Sequence, residues 1–184
     1  MKRLFLLFVF SIFMSNLFAN SETGKTYKIG DTGPAGGIVF YDKGVFSNGW
    51  RYLEAAPAET EFEAEWGAYE TDVSGTRSVL GAGKENTKLI VERLKALRET
   101  GRAAQLCANL KFDGFTDWFL PSKDELDLMY KNLKQKSKGE FGDYGYWSSS
   151  ESGSDYAWFQ NFDDGDQGDY FKTVTISVRA VRAF

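Results

Sequence analysis

The segment from Gly139 to Phe171 is the part of the chain richest in residues that could bind a ligand. It contains ten aromatic and eight acidic residues, and it has neither lysine nor arginine. Exposed aromatic rings can stack on a ligand, while carboxylates accept hydrogen bonds or hold hard cations through oxygen. This composition predicts a binding surface rather than a reaction centre.

Two overlapping sets of residues are the candidate sites. Trp147 and Trp158 lie in strand-like segments, where tryptophan is more typical of a core than of a ligand platform. The four aspartates of the second set do not have the spacing of a helix–loop–helix calcium loop, so a looser calcium site and a solvated hairpin rim are both open. Apart from this calcium, no cofactor is indicated. The candidate ligand-binding residues are Tyr144, Tyr146, Asp155, Trp158, Phe159, Asp163 and Asp164, and the candidate metal ligands are Asp163, Asp164, Asp166 and Asp169.

The chain contains no histidine, and Cys107 is its only cysteine. Catalysis by Ser-His-Asp or Cys-His and metal binding by a Cys/His cluster are therefore excluded. Cys107 repeats the helical spacing of Ala103 and Leu110, which predicts a buried thiol. Catalysis by carboxylates, lysine or tyrosine stays open, but no spacing identifies a pair of acids suited to a hydrolase. We therefore expect a protein that is not an enzyme.

The first residues have the pattern of an export signal. Lys2 and Arg3 precede an apolar run from Leu4 to Met14, and Ala19 offers a small residue for cleavage. We predict a signal peptide at residues 1–19, a short linker at 20–27 and a single domain at 28–184. The product would be exported to the periplasm, the cell surface or the medium. The run is too short for stable membrane insertion, since a spanning helix needs about 20 apolar residues.

The chain after the predicted signal peptide has 20 basic and 26 acidic residues, so its overall field does not attract nucleic acid or anionic lipid. No nucleic-acid partner is expected.

Three helices and several strands alternate along the domain. Asn86 is the predicted N-cap of a helix at 87–98, a second helix spans Ala103 and Leu110, and Ser122 with Glu125 forms a capping box for a third. Helices in the middle with strands on both sides predict the α+β class. The strands are predicted at residues 38–41, 50–55, 118–120, 146–148, 157–162, 170–176 and 177–184, with a turn at 163–165.

Arg179 and Arg182 lie in the predicted terminal strand, one face of which should be buried. Because a buried guanidinium needs a charged partner, one of them is expected to pair with an inward carboxylate such as Glu125.

Six motifs together resemble a bacterial family of exported domains. The family is named for the C-terminal domain of a Legionella collagen-like protein and is also called DUF1566. The resemblance covers residues 27–184, which is essentially the whole domain. The motifs are KIGDTGPAGGIVFY (28–41), GWRYLEAAP (49–57), NT (86–87), DWFLPSKDEL (117–126), YWSSS (146–150) and VRAVR (178–182).

The resemblance implies a C-type-lectin-like fold. Such a fold has a mixed antiparallel sheet, flanking helices, long loops, and adjacent N- and C-terminal strands. The chain departs from animal C-type lectins in lacking their disulfides and the sequence triplets of their sugar-coordinating calcium site. It also lacks the cysteine pair of the related formylglycine-generating enzymes. The resemblance therefore implies the fold and not the activity.

Taken together, these features predict a non-catalytic exported recognition module that binds a glycan or a cell-surface or envelope protein, as in adhesion. The first alternative is a structural, self-associating envelope subunit, which would form oligomers. The second alternative is a carboxylate-based hydrolase.

Overall fold

A computed structural model describes residues 25–184, so the predicted signal peptide and the first part of the linker lie outside the described residues. The predicted α+β class is confirmed by eight strands and three α-helices within this part of the chain. Short 3-10 turns occur at Ala58–Thr60 and Lys134–Lys136. The strands are β1 (Ile38–Ser47), β2 (Trp50–Ala55), β3 (Phe62–Ala64), β4 (Gly145–Glu151), β5 (Tyr156–Asn161), β6 (Gln167–Phe171), β7 (Ile176–Val178) and β8 (Val181–Ala183), and the helices are α1 (Gly83–Leu97), α2 (Ala103–Asn109) and α3 (Lys123–Asn132).

The strands form two sheets. The smaller sheet has the order β1-β2-β8 and is antiparallel throughout. The predicted adjacency of the first and last strands is therefore wrong, because β2 lies between them in the same sheet. The backbone carbonyl of Phe184 accepts hydrogen bonds from the N–H groups of Arg51 and Tyr52, and the ring of Tyr27 packs on Phe184. Both ends of the described chain therefore meet at this sheet.

The larger sheet has the order β3-β7-β4-β5-β6, in which only β4 and β7 run parallel. Helices α1 and α2 cover one core beside it, to which Ile90, Leu94, Cys107 and Trp147 contribute. Helix α3 closes a second core between the two sheets, lined by residues such as Phe40 and Phe162 from the sheets and by the apolar side chains of α3. The spacing of apolar residues in α1 and α3 places one side of each helix in its core.

The sequence predicted the N-cap of α3 correctly and the N-cap of α1 wrongly. Ser122 Oγ accepts a hydrogen bond from Glu125 N at 3.3 Å, and Glu125 Oε2 accepts one from Ser122 N at 2.8 Å, so the capping box is confirmed. Helix α1, however, begins at Gly83 and not after Asn86. The Asn86 side chain instead binds the backbone of Arg77 at 2.9 and 2.7 Å, because this contact with the preceding loop satisfies both ends of its amide.

Three predicted strands are also different in the structure. The predicted strand at 170–176 is interrupted at residues 172–175, so its first residues end β6 and its last residue begins β7. Residues 118–120 form no strand, and Phe119 makes a single β-bridge with Val181. The predicted strand at 177–184 is divided into β7 and β8, with Arg179 and Ala180 at the break. The break allows the last residues to leave the larger sheet and join the smaller one.

Arg179 and Arg182 pair with carboxylates, but Glu125 is not among them. Glu54 is buried, whereas Glu61 is partly exposed, as is Asp117, which lies 2.6 Å from Arg182 Nε. Arg182 Nη1 lies 2.9 Å from Glu54 Oε1, which joins β8 to β2. Arg179 Nη2 lies 2.6 Å from Glu61 Oε2. The expected pairing with Glu125 is wrong because the Glu125 carboxylate is already occupied by backbone N–H groups of its own cap and of the loop before α1.

Two glycines allow the backbone to approach buried carboxylates closely. A Cβ atom on Gly33 would collide with Glu54 Oε2, and a Cβ atom on Gly83 would collide with Glu125 Oε2. Both carboxylates are inaccessible to solvent. These glycines are therefore required by packing and not by a phosphate-binding or other ligand-binding loop.

Within residues 25–184, no helix combines the length and apolar character needed to cross a membrane.

The buried pair between β2 and β8 gives a first prediction. Arg182→Met is expected to lower the free energy of unfolding by about 3–5 kcal/mol, because it leaves the Glu54 carboxylate buried with no charged partner. Urea denaturation at neutral pH measures this. The matched control is Arg51→Met, which breaks the partly exposed pair with Asp42 and should cost no more than about 1 kcal/mol.

Adding Glu54→Gln to Arg182→Met should restore part of the loss, since no charge then remains buried. Equal losses for Arg182→Met and Arg51→Met would contradict the assignment.

Candidate functional site

Several aromatic side chains are exposed on the hairpin formed by β5 and β6. The register pairs Tyr156 with Phe171 and Trp158 with Asp169, so these four side chains lie on one face of the hairpin. The rings of Tyr156 and Phe171 are 4.6 Å apart, and they are 37% and 41% exposed. We call Tyr156, Trp158 and Phe171 the aromatic face.

Polar groups border the aromatic face. Lys123 Nζ lies 3.3 Å from the centre of the Trp158 ring, so an ammonium group covers part of that indole. Asp169 Oδ2 accepts a hydrogen bond from Ser152 Oγ at 2.6 Å. The face therefore combines exposed rings with nearby donors and acceptors, as small-ligand sites do.

Tyr69 extends this surface from a different part of the chain. Its side chain is 40% exposed. Burial, followed by the negative charge of Asp155 and of Glu70, raises the pKa of Tyr69. The loop that contains Tyr69 is joined to the turn before β5 by Lys172 Nζ, which contacts the carbonyls of Thr71 and Ser154. Sequence reasoning missed Tyr69 because the residue lies far from the aromatic segment and carries no local motif.

Lys172 fixes the segments behind the aromatic face. Its side chain is fully buried, and Nζ lies 2.6 Å from Glu151 Oε1, 2.8 Å from the carbonyl of Ser154 and 3.0 Å from the carbonyl of Thr71. One ammonium group thus joins the end of β4, the turn before β5 and the loop that contains Tyr69. The sequence hint was that Lys172 is the first basic residue after a long acidic and aromatic segment.

The predicted ligand-binding residues are divided between the two ends of β5. Asp155 and Trp158 lie at the end that bears the aromatic face. Tyr144 lies at the other end, where its carbonyl accepts a hydrogen bond from Phe162 N, next to the turn with Asp163 and Asp164. The strand between the two ends is about 17 Å long. These residues therefore do not form one site.

Two predicted ligand-binding residues, Phe159 and Tyr146, do not belong to the aromatic face. Phe159 projects to the opposite side of β5 from Trp158, where it packs against Trp147 and Tyr170. Tyr146 is completely buried, so its ring has no surface free for stacking. Its hydroxyl donates to Glu61, and burial, followed by the Glu61 charge, raises the pKa of Tyr146.

The four candidate metal ligands do not converge. Asp164 Oδ1 accepts a hydrogen bond from Asp166 N at 2.9 Å within the turn, while Asp169 points to Ser152 on the aromatic face. Across residues 25–184, no group of three or more His, Cys, Asp or Glu side chains is arranged to hold a metal ion. The geometry therefore supports the alternative in which the four aspartates form a solvated rim of the hairpin.

Glu125 has the pKa that a general acid would need, but it lies where no substrate can reach it. Burial raises its pKa from the ordinary value of 4.5 to about 6, and hydrogen bonds from the N–H groups of Ser122 and Gly81 oppose that rise. The carboxyl is fully covered and contacts only its own cap and the start of α1. A raised pKa marks a functional site only when the group faces a cleft, so Glu125 has a structural role.

Cys107 is likewise unsuited to chemistry. Its side chain is fully buried in the core beside α1, as predicted, and burial raises the pKa of the thiol. The reactive thiolate form is therefore disfavoured.

A second exposed apolar spot lies at the tip of the β1–β2 hairpin. Val45 and Phe46 are 61% and 67% exposed there. A shallow groove of about 280 Å³ lies elsewhere, between α1 and the loop at residues 73–74. Neither contains the combination of rings and hydrogen-bonding groups found at the aromatic face.

These features define a small α+β domain with an exposed ring-and-carboxylate surface and no catalytic constellation on it. The chain belongs to the Lcl C-terminal domain family, whose model matches residues 56–182. This confirms the family that the sequence motifs indicated.

A fimbrial protein from Bacteroides ovatus has a similar fold. The TM-score is 0.54 at 14% sequence identity, and the match covers 73% of this chain and 36% of the fimbrial chain. The chain thus corresponds to little more than a third of that protein's length, and the likeness concerns the fold alone. No curated protein matches the sequence.

Because the four aspartates do not converge on one point, we predict that calcium does not change the stability of the folded domain. A ligand that binds only the native state raises the melting temperature. We expect equal melting temperatures in millimolar calcium and in chelator, measured by differential scanning fluorimetry. A calcium-dependent rise that disappears in Asp164→Asn would show that the turn binds the ion.

The raised pKa of Glu125 predicts that the free energy of unfolding depends on pH in a specific range. The folded state binds the Glu125 proton more tightly than the unfolded chain does, so its contribution to stability decreases as pH rises from about 4.5 to about 6. The decrease amounts to about 2 kcal/mol. In Glu125→Gln this part of the pH dependence should be absent, as urea denaturation at pH 4 and pH 7 would show.

The control for this experiment is Asp124→Asn, which removes an exposed acid from the same helical turn. It should keep the wild-type pH dependence. The same slope in Glu125→Gln as in the wild type would contradict the assignment.

Proposed function

We propose that this chain is an exported, non-catalytic recognition module whose aromatic face binds a glycan on a C-type-lectin-like scaffold. The observation that carries the proposal is the exposed pair of rings of Tyr156 and Phe171, with Trp158 and Asp169 beside it on the same face. The proposed organisation is a signal peptide at residues 1–19, a linker at 20–27 and one domain at 28–184.

The chemistry of the face suits a sugar. A pyranose has an apolar C–H face that can lie on aromatic rings, and its hydroxyl groups need hydrogen-bond partners at the edge. Asp169 and Ser152 supply an acceptor and a donor, and Asp155 supplies a further carboxylate at the same end of β5. Bound hydroxyl groups would therefore exchange water for protein partners while the rings are covered.

The charge of the face favours neutral or amine-bearing glycans. Of the eight carboxylates of residues 139–171, Asp155 and Asp169 lie at this end of the hairpin, and the ammonium of Lys123 is placed over Trp158. A sulfated or carboxylated sugar would meet like charge at this end of the hairpin.

Several findings support a location at the cell surface and a role without catalysis. The family takes its name from the Lcl C-terminal domain, and a protein of similar fold is a fimbrial protein. The acids with the most altered surroundings, Glu54 and Glu125, are both bound within the scaffold. The aromatic face itself has rings and hydrogen-bonding groups but no histidine, since the chain has none.

A structural subunit that associates with itself is the second candidate. The exposed tip formed by Val45 and Phe46 favours it, because two adjacent apolar side chains at the end of a hairpin can be buried in a partner. Light scattering of Phe46→Ala against the wild type separates this candidate from glycan binding, which does not require association.

The glycan proposal is tested on an array of neutral and amine-bearing oligosaccharides, followed by titration of a bound sugar. Tyr156→Ala and Phe171→Ala should each weaken binding at least about tenfold, equivalent to 1.4 kcal/mol, because each removes half of the stacked pair. Phe46→Ala is the matched control, since it removes an exposed ring outside the face.

The variant Tyr144→Ala tests whether the ligand binds at the other end of β5. If Tyr144→Ala abolishes binding while Tyr156→Ala does not, the ligand lies beside Asp163 and Asp164, and the site on the aromatic face is wrong. Equal binding by all four variants would also contradict the proposal.

A further inference from the structure

Strand β6 forms an open edge of the larger sheet. It pairs with β5 on one side and with no strand of residues 25–184 on the other. All five of its residues are at least partly exposed, and Tyr170 and Phe171 present large rings there. An open edge of this kind is a template for another extended chain.

The register shows which backbone groups of β6 face outward. Lys172 N donates to the carbonyl of Asp155, and Asn161 N donates to the carbonyl of Asp166. Hydrogen-bonded pairs alternate along an antiparallel ladder, so Gly168 and Tyr170 bond to β5. The backbone groups of Gln167, Asp169 and Phe171 therefore point away from the sheet.

One of these outward groups is already used. The carbonyl of Phe171 accepts a hydrogen bond from Val174 N at 3.0 Å. The N–H groups of Gln167, Asp169 and Phe171 and the carbonyls of Gln167 and Asp169 have no backbone partner within the described part of the chain. They are spaced to bond with alternate residues of an added strand.

Charge opposes a second copy of this chain as the occupant. Two β6 strands in antiparallel contact overlap most when Asp169 of one copy lies opposite Asp169 of the other, and like charges directly opposite each other destabilise a sheet. Further exposed acids lie in the turn that precedes β6. The edge is thus complementary to a positively charged strand.

We propose that the outer edge of β6 binds an extended segment of a basic partner protein by β-strand addition, with lysine or arginine opposite Asp169. Backbone hydrogen bonds would supply affinity, and alternate side chains would supply specificity. An apolar side chain would lie opposite Phe171, and a branched one would fit opposite Gly168. This site shares Phe171 and Asp169 with the aromatic face, but it takes its affinity from backbone groups at the strand edge and not from ring faces.

The test uses a short acetylated peptide, Gly-Val-Tyr-Lys-Ile-Thr-Gly amide, and its counterpart with glutamate in place of lysine. The order places valine opposite Phe171 and lysine opposite Asp169 in antiparallel alignment. Calorimetric titration at low salt should show binding of the lysine peptide that is at least about tenfold tighter than that of the glutamate peptide. Asp169→Asn should reduce this preference, and Asp169→Lys should reverse it.

Backbone methylation of the peptide separates strand addition from simple charge attraction. An N-methyl group on the lysine removes an N–H that faces β6 and should abolish binding. An N-methyl group on the neighbouring tyrosine points away from β6 and should be tolerated. Equal effects of the two methyl groups, or equal binding of the lysine and glutamate peptides, would overturn the proposal.

A dimer that forms through β6 would also overturn the proposal. Sedimentation of the unliganded protein detects this outcome, in which a second copy occupies the edge.

Discussion

The fold depends on buried cations near the C-terminus, each held by a carboxylate from an earlier segment. Lys172 meets Glu151, Arg179 meets Glu61, and Arg182 meets Glu54. An isolated buried charge is too costly to keep, so the folded state requires the earlier segments and the last residues to be in contact. In a chain with one cysteine, these pairs connect distant segments where a disulfide cannot. The ends of the described chain are therefore fixed by charge as well as by packing.

The same constraint determines how rigid the proposed binding surface is. Lys172 directly follows Phe171, and its ammonium group is coordinated by oxygens from the turn before β5 and from the loop beside Tyr69. Bound metal ions often order such loops, whereas here a lysine of the chain supplies the positive charge. A surface that is ordered before the ligand arrives loses less conformational entropy on binding. Lys172 therefore contributes to the order of the segments behind the aromatic face.

Sequence reasoning succeeded where the determining contacts are local. The Ser122–Glu125 cap, the turn at residues 163–165 and the burial of Cys107 each follow from spacing over a few residues. It failed at Asn86 because a contact with the preceding loop outweighed the cap preference. It failed at the arginines because their partners lie 65 to 128 residues away. Strand periodicity already implied that Trp158 and Phe159 face opposite sides. Which side is exposed depends on the partner strands, and that information is not local.

The residues of the family motifs mainly stabilise the scaffold. Gly33 makes room for Glu54, and Ser122 and Glu125 cap α3. The last motif supplies Arg179 and Arg182 to ion pairs. By contrast, Tyr69, Tyr156 and Phe171 lie outside all six motifs, and they carry the exposed surface. The family motifs therefore account for the framework, whereas the proposed ligand site uses residues on β5, β6 and the loop that Lys172 anchors. A ligand inferred from the family alone would rest on residues that face the core.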